Sequence, residues 1–294
     1  MATFETNFFS YARGRFVTIH VLVPTAGWFE QTYTPAMGPT LNMDHNDFTT
    51  TLDLVPYCER FNYVDHKPKA KYPVLYILSG GAGDRFQWIR DTQIEMFCEE
   101  RKIALVSVDG ESAEWHMDRD IEFLVREVRE LVCGMFPVSE DPKDHYIAGM
   151  SRGSGGVLHH IAVNPDKWGA FGLLCSSMTY YEDNPIQLFR DAAAAGAKFP
   201  PAYVSIGDKD HGVSHLEYTR NVLKEGGVDV TWKVEPGFMH GYRFCNVAIE
   251  KFLDWLPRKD YYADKPAPSD KLRQEDLNQE SRSGHREVNS THNK

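Results

Sequence analysis

The residues in this sequence most able to do chemistry form the pentapeptide Gly149-Met150-Ser151-Arg152-Gly153. It follows a short apolar run and precedes a helical pattern over 155–163. This is the strand–turn–helix context in which a G-x-S-x-G motif exposes a nucleophilic serine. In so tight a turn, a Cβ atom at either glycine would collide with backbone, and the serine backbone would be strained. The N-terminus of the following helix favours developing negative charge. Ser151 is therefore the predicted nucleophile.

A serine hydroxyl needs a base, usually a histidine, and that histidine needs a carboxylate to fix its tautomer. In enzymes with this motif the acid and then the histidine follow the serine along the chain. His240 lies in the loop 236–241, between a predicted strand (228–234) and the last predicted helix. We predict His240 as the base, with His211 as the alternative. The other downstream histidines are His215, His159 and His160, of which the last two lie inside the helix after Ser151, and His285 and His292 in the polar C-terminal segment.

Two acidic residues compete for the third position. Asp208 and Asp210 both follow the predicted strand 202–206. The residues alone leave this choice open, with Asp183 as a more remote candidate. The carboxylate that does not orient the histidine is expected to be a solvated loop residue or a turn former.

Acyl transfer builds negative charge on a carbonyl oxygen, and two backbone N–H groups facing that oxygen stabilise it. One donor should be the N–H of Arg152, directly after the nucleophile. The other should come from the glycine-rich loop 79–83, which follows the predicted strand 72–78. Gly81 is our first choice for it, and Gly80 and Ala82 are the alternatives.

Alternating strands and helices must position these residues. Residues 15–23 and 48–55 alternate apolar and polar side chains, which is typical of half-buried antiparallel strands. Continuous apolar runs predict buried strands at 72–78 and 103–108, with shorter ones at 146–148, 170–174 and 202–206. Helical spacing marks 119–133, a capping box at Ser214 and Glu217 opens a helix ending at Gly226, and a last amphipathic helix includes 249–256. This order predicts an α/β fold, a mainly parallel sheet with helices on both faces and ligands beyond the strands' carboxyl ends.

Several short motifs occur together in an order that is shared with a known family. They are YPVLYILSGGAGD (72–84), Trp88, IALVSVDGE (103–111), HYIAGMSRGSGG (145–156), NPDKWGAFG (164–172), SIGDKD (205–210) and GFMHGY (237–242). With these motifs the chain resembles the esterase D-like branch of the α/β-hydrolases. That branch includes feruloyl and acetyl esterases, short-chain carboxylesterases, S-formylglutathione hydrolases and mycolyltransferases. The resemblance implies an α/β-hydrolase fold with a Ser-His-Asp triad.

The resemblance also bears on individual positions. The family's acid stands last in a G-x-x-D segment, which corresponds to Asp210, and a Gly-x-x-His-like segment corresponds to His240. Many relatives have His-Gly where this chain has Ser79-Gly80. Leu-Ser-Gly is found in the S-formylglutathione hydrolase subgroup, but that subgroup's following Thr-Cys pair and its Met after the nucleophile are missing here.

Composition limits the classes of protein that fit. The chain has 294 residues, 42% of them apolar, and a net charge of −10. Such an acidic chain fits neither a nucleic-acid nor an anionic-membrane partner. No apolar run is long enough to span a membrane, and no signal peptide is recognised, so we expect a cytoplasmic protein unless a leader precedes this sequence. Five dispersed cysteines without a CxxC motif predict reduced thiols, and we predict neither a metal nor a cofactor.

We predict a catalytic domain over 1–262 and a polar, disordered tail over 263–294, which has few large apolar side chains. The first functional hypothesis is a serine carboxylesterase acting on acetyl, short acyl or feruloyl esters, including those of plant-polysaccharide fragments. Trp88, Trp115 and Phe238 are candidates to line its substrate pocket, with burial in the core as the alternative. Without a large cap domain, the site should be open. The other hypotheses are acyl transfer to a sugar hydroxyl, thioester hydrolysis of the S-formylglutathione type, and a non-catalytic binding module.

Overall fold

An eight-stranded sheet is the centre of the fold. The computed structural model describes residues 1–25, 68–81, 83–110, 115, 118–176 and 185–264, except the Leu216 side chain. The strands follow the order β1-β2-β4-β3-β5-β6-β7-β8 across the sheet. β1 pairs with β2 and β2 with β4 in antiparallel fashion, and all remaining pairs are parallel. The strands are β1 (Ala2–Ser10), β2 (Arg15–Val23), β3 (Val74–Leu78), β4 (Ala104–Val108), β5 (His145–Met150), β6 (Ala170–Leu174), β7 (Ala202–Gly207) and β8 (Val230–Glu235).

Helices connect the parallel strands. A π-helical segment, Glu122–Val128, joins α3 to α4, and short 3₁₀ turns occupy Pro142–Asp144, Pro165–Lys167 and Val213–His215. None of the helices in the described ranges is long and apolar enough to cross a membrane. The α-helices are α1 (Gln87–Asp91), α2 (Ile94–Arg101), α3 (Asp118–Ile121), α4 (Arg129–Met135), α5 (Arg152–Val163), α6 (Pro185–Ala194), α7 (Leu216–Glu225) and α8 (Tyr242–Trp255).

The central strands are buried on both faces, which explains their continuous apolar sequences. In β3, Tyr76 faces one apolar cluster while its neighbours Leu75 and Ile77 face the other, because successive side chains of a strand point to opposite sides. The first cluster also includes apolar residues of α5 and α7, and the second includes those of α2 and α8. The predicted fold class, a mainly parallel sheet with helices on both faces and antiparallel strands at the N-terminal edge, is confirmed.

Some predicted elements differ from the structure or cannot be compared with it. β1 has no counterpart in the sequence prediction, because most of its side chains are exposed and it lacks an apolar alternation. The capping box at Ser214 does not form: Ser214 lies in the 3₁₀ turn, and α7 begins after His215 without a side-chain cap. The predicted strand 48–55 lies outside the described residues.

One compact unit contains Met1–Thr25 and His66–Ala263. Among the described residues, Asp264 alone is assigned to a second unit. The single catalytic domain over 1–262 and the tail over 263–294 therefore stay predictions.

Candidate active site

The turn between β5 and α5 has the geometry of a nucleophile elbow. Ser151 lies between the two elements with φ 53° and ψ −119°, a conformation that is strained for a residue with a side chain. A Cβ atom on Gly149 would lie 2.4 Å from the carbonyl carbon and oxygen of Gly153. A Cβ on Gly153 would lie 2.6 Å from the carbonyl oxygens of Leu78 and Ser79. Both glycines are therefore required by close backbone contact, as the sequence motif predicts.

The loop after β3 packs against this elbow. A Cβ atom on Gly80 would be 3.6 Å from the Cβ of Ser151, and one on Gly81 would be 3.4 Å from Cδ of Arg152. The Gly83 N–H donates to the Gly80 carbonyl over 3.1 Å, which closes a tight turn. Gly80 and Gly81 thus lie beside the candidate nucleophile, where an oxyanion donor is required, and the alternative donor Ala82 lies outside the described residues.

Two tryptophan side chains donate hydrogen bonds to the backbone at the start of the same loop. The indole N–H of Trp88 donates to the Leu78 carbonyl over 3.0 Å, and that of Trp115 donates to the Ser79 carbonyl over 3.2 Å. Their exposed fractions are 0% and 1%. In this structure neither indole has a face that a ligand could contact. Both tryptophans are therefore buried residues that support the loop, and they do not line a pocket.

His240 and Asp210 come together at the neighbouring strand ends. Nδ1 of His240 lies 2.8 Å from Oδ2 of Asp210. The other oxygen, Oδ1, accepts the Gly212 N–H over 2.8 Å, so both carboxylate oxygens are held. Asp210 is 2% exposed and His240 is half-buried. The pair therefore has the form in which a buried carboxylate fixes the tautomer of an imidazole.

The competing candidates occupy different positions. Asp208 is exposed, and its Oδ1 accepts the Gly237 N–H over 2.7 Å, which joins the loops after β7 and β8. His211 is exposed, with Nδ1 3.5 Å from Oδ1 of Asp210. His159 and His160 are buried within α5. The structure thus brings Asp210, not Asp208, to His240, and Asp183 lies outside the described residues.

The contacts of His240 and Asp210 shift the pKa values of both side chains. The hydrogen bond with Asp210, followed by one with Cys175, raises the pKa of His240 above 6.5 in spite of its burial. Burial alone raises the pKa of Asp210, but the hydrogen bonds from His240 and from the Gly212 N–H outweigh it and lower that pKa. The pair therefore favours the ionised carboxylate and stabilises a proton on the imidazole.

Cys175 lies in this site, whereas the sequence predicts only that it is one of five reduced thiols. It directly follows β6 and has φ 50°, which is uncommon for a residue with a side chain. Its Sγ and one ligating atom each of Asp210 and His240 all lie within 4.8 Å of one another. Hydrogen bonds with Cys245 and then with His240 lower the pKa of the Cys175 thiol. The only sequence signal is its place after a buried strand, next to the strand of the nucleophile.

Two aromatic residues lie around the site, Phe238 in the loop after β8 and Tyr242 at the start of α8. The Tyr242 ring packs edge-on against Trp88, with centroids 5.4 Å apart. Phe238 is half-buried, packs near Phe244 and accepts the Lys209 N–H at its carbonyl over 3.0 Å. Of the three predicted pocket residues, Phe238 alone retains an exposed surface beside the histidine loop.

Four adjacent strands supply the site from the same edge of the sheet. β5, β6, β7 and β8 end just before Ser151, Cys175, Asp210 and His240 in turn. The Ser151 N–H donates to the Leu174 carbonyl over 3.0 Å, so the elbow is joined to the residue before Cys175. This arrangement provides the parts of an acyl-transfer site: a presented hydroxyl, a carboxylate–imidazole pair and a backbone loop for an oxyanion.

Comparisons with known proteins agree with this architecture. No family model matches the chain. An acetyl esterase from Caldicellulosiruptor saccharolyticus is 23% identical over 221 residues, which are 63% of this chain and 83% of the relative. A fluorophosphonate-binding serine hydrolase, FphF, from Staphylococcus aureus has a TM-score of 0.68 at 18% identity, covering 88% of this chain and 99% of its own.

An S-formylglutathione hydrolase from the same organism has a TM-score of 0.64 at 20% identity and covers 87% of this chain and 96% of its own. Ferulic acid esterases are also among the structural matches. The chain therefore has the α/β-hydrolase fold. Its relatives are serine hydrolases and esterases, as the sequence resemblance predicts.

Proposed function

We propose that the protein is a serine esterase in which Ser151, His240 and Asp210 form the catalytic triad. The names of the acetyl esterase and of the serine hydrolase among its relatives support the class. The observation that carries the triad is the 2.8 Å hydrogen bond between His240 and Asp210. It stands at the sheet edge that also presents Ser151 in a strained turn.

In this mechanism the Ser151 hydroxyl attacks the ester carbonyl while Nε2 of His240 takes its proton. Asp210 holds the proton on Nδ1 and stabilises the imidazolium that forms. The backbone N–H groups of Arg152 and Gly81 are the proposed oxyanion donors. His240 then protonates the leaving alcohol, and water releases the acid from the acyl-enzyme by the same steps.

The first test is hydrolysis of p-nitrophenyl acetate by the wild type and by Ser151→Ala. We expect the variant to lose at least about 10⁴-fold in kcat while its circular dichroism and Tm are unchanged. Ser154→Ala is the wrong control, because Ser154 Oγ is buried and bonded to the Gly149 and Leu174 carbonyls. Ser139→Ala is a better one, because the half-buried Ser139 hydroxyl donates to Asp144 just before β5 begins, whereas Ser151 follows the end of that strand. Full activity in Ser151→Ala would exclude Ser151 as nucleophile.

For the substrate we propose short acyl esters, with acetyl first, and the acetyl esterase relative supports this choice. Hydroxycinnamoyl esters are the second candidate, supported by the ferulic acid esterases among the structural matches. A panel of p-nitrophenyl esters of increasing chain length, methyl ferulate, acetylated xylan and S-formylglutathione separates these classes by kcat/KM. The proposal would be contradicted if kcat/KM for the acetyl ester did not exceed kcat/KM for each of the other esters by at least threefold.

A further inference from the structure

The cluster of Cys175, Asp210 and His240 combines three kinds of metal ligand at one point. A thiol sulfur, a carboxylate oxygen and an imidazole nitrogen lie within 4.8 Å of one another. Cys175 and Asp210 are buried, and His240 is half-buried. The three ligands are 35 and 30 residues apart along the chain, which explains why ligand spacing in the sequence predicts no metal site.

This donor set selects for zinc. Zn²⁺ binds thiolate, imidazole and carboxylate groups, whereas Mg²⁺ and Ca²⁺ prefer oxygen ligands alone. Three protein ligands leave a fourth tetrahedral position open for water. Zn–S bonds of about 2.3 Å and Zn–N or Zn–O bonds of about 2.0 Å place tetrahedral ligand atoms roughly 3.3 to 3.6 Å apart.

The cluster is close to that geometry. The His240–Asp210 pair, at 2.8 Å, must open by roughly half an ångström to reach the ligand spacing of a tetrahedral zinc site. The sulfur needs to approach by about 1 Å at most if it starts at the outer limit of 4.8 Å. Such shifts are within the range of side-chain rotation at the ends of strands.

We propose that Cys175, Asp210 and His240 form an inhibitory Zn²⁺ site, with His240 binding the metal through Nδ1. Binding releases the thiol proton to water. The single proton of the neutral imidazole is displaced from Nδ1, where the metal binds, and by exchange through water comes to lie on Nε2. With Nε2 protonated, His240 cannot accept the proton of Ser151. Zinc occupancy thus turns off the general base without touching the nucleophile.

Inhibition rests on the proposed function, whereas metal binding does not, so the two are measured separately. Metal binding is followed with Co²⁺, whose thiolate charge-transfer absorption in the near ultraviolet reports a cysteine ligand directly. We expect this absorption at one Co²⁺ per chain in the wild type, in Ser151→Ala and in Cys133→Ser, but not in Cys175→Ser. Cys133 is the matched control because it is a free, half-buried thiol on α4.

Inhibition is measured on chelator-treated protein with p-nitrophenyl acetate and Zn²⁺ alone. We expect reversible inhibition of the wild type and Cys133→Ser, and a loss of at least about 100-fold in Zn²⁺ affinity for Cys175→Ser. Equal zinc sensitivity of Cys175→Ser and the wild type would overturn the proposal. So would the absence of the cobalt absorption from the wild type.

Zinc X-ray absorption of the wild type provides a readout that needs no variant, in case Cys175→Ser does not fold. One sulfur scatterer at about 2.3 Å is expected, and a zinc site without sulfur would contradict the proposal. A chelator-treated protein that binds Co²⁺ through sulfur but hydrolyses no ester would instead disprove the esterase and leave the metal site standing.

Discussion

Two of the hydrogen bonds of Asp210 help to fix its orientation. Oδ2 contacts Nδ1 of His240, and Oδ1 accepts the Gly212 N–H. The carboxylate therefore cannot rotate away from the histidine without breaking a backbone hydrogen bond. Because it is ionised and buried, it also controls how readily His240 keeps a proton. Asp210 contacts His240 whereas Asp208 contacts the Gly237 N–H, and this difference supports the proposed choice of acid.

Asp210→Asn tests this control of the base. His240 acts as a base only when neutral, so activity rises with pH through its pKa. Since Asp210 raises that pKa, removing the charge should move the ¹³Cε1 titration of His240, followed by NMR, to lower pH. We expect kcat to fall by about 10⁴-fold, because an amide can hold the imidazole in the wrong tautomer.

Asp208→Asn is the matched control at the adjacent loop. Its exposed carboxylate accepts the Gly237 N–H rather than contacting His240, so kcat should change by less than about threefold and the His240 titration should stay in place. If Asp208→Asn were the inactive variant and Asp210→Asn the active one, the assignment of the acid would be reversed.

At the scale of elements, the contact between the elbow and the β3 loop is tested by Gly153→Ala. The added Cβ would meet the carbonyl oxygens of Leu78 and Ser79 at 2.6 Å, so the loop carrying Gly81 must move. We expect a loss of about 1 to 3 kcal/mol in the free energy of unfolding and a fall in kcat of at least about 100-fold, because an oxyanion donor shifts.

Gly134→Ala distinguishes this effect from the general consequence of replacing a glycine. Gly134 lies in α4, and a Cβ there has no atom within 4 Å. A methyl group in the last turn of α4 should raise the unfolding free energy by up to about 1 kcal/mol and leave kcat unchanged. Equal kinetic behaviour of the two variants, by steady-state assay and urea titration, would contradict the proposed contact.

Sequence patterns predict elements well where one physical cause dominates. β6 is found at its predicted bounds, 170–174, because an apolar run between turns has few alternatives to a buried strand. The capping box at Ser214 fails because a 3₁₀ turn occupies that position and α7 begins at Leu216. Cys175 could not be assigned to the site, since its nearness to His240 depends on β6 lying between β5 and β7. The local sequence pattern around Cys175 does not reveal which strands lie next to β6 in the sheet.

Across the whole molecule, one arginine connects three parts of the fold. Arg13, in the turn between β1 and β2, donates to the Asp109 carbonyl after β4 over 2.8 Å and to Oδ1 of Asp120 in α3 over 3.0 Å. Its guanidinium lies 3.8 Å from the centroid of the Phe123 ring. The side chains of Arg13 and Asp120 are 1% and 2% exposed, so the pair is shielded from solvent. This contact fastens the antiparallel edge to the parallel sheet.

Asp120→Ala tests how far global stability depends on that contact. Removing the Asp120 carboxylate takes a charged partner away from the buried guanidinium, and we expect the free energy of unfolding to fall by about 3 to 5 kcal/mol. Glu140→Ala is the matched control, because its ion pair with Lys71 is equally short at 2.8 Å but exposed to solvent, and it should leave the unfolding free energy nearly unchanged. Urea titrations followed by circular dichroism compare the two variants. Equal destabilisation would show that burial does not set the strength of this pair, and kcat of folded Asp120→Ala should match the wild type because Asp120 lies outside the proposed triad and oxyanion loop.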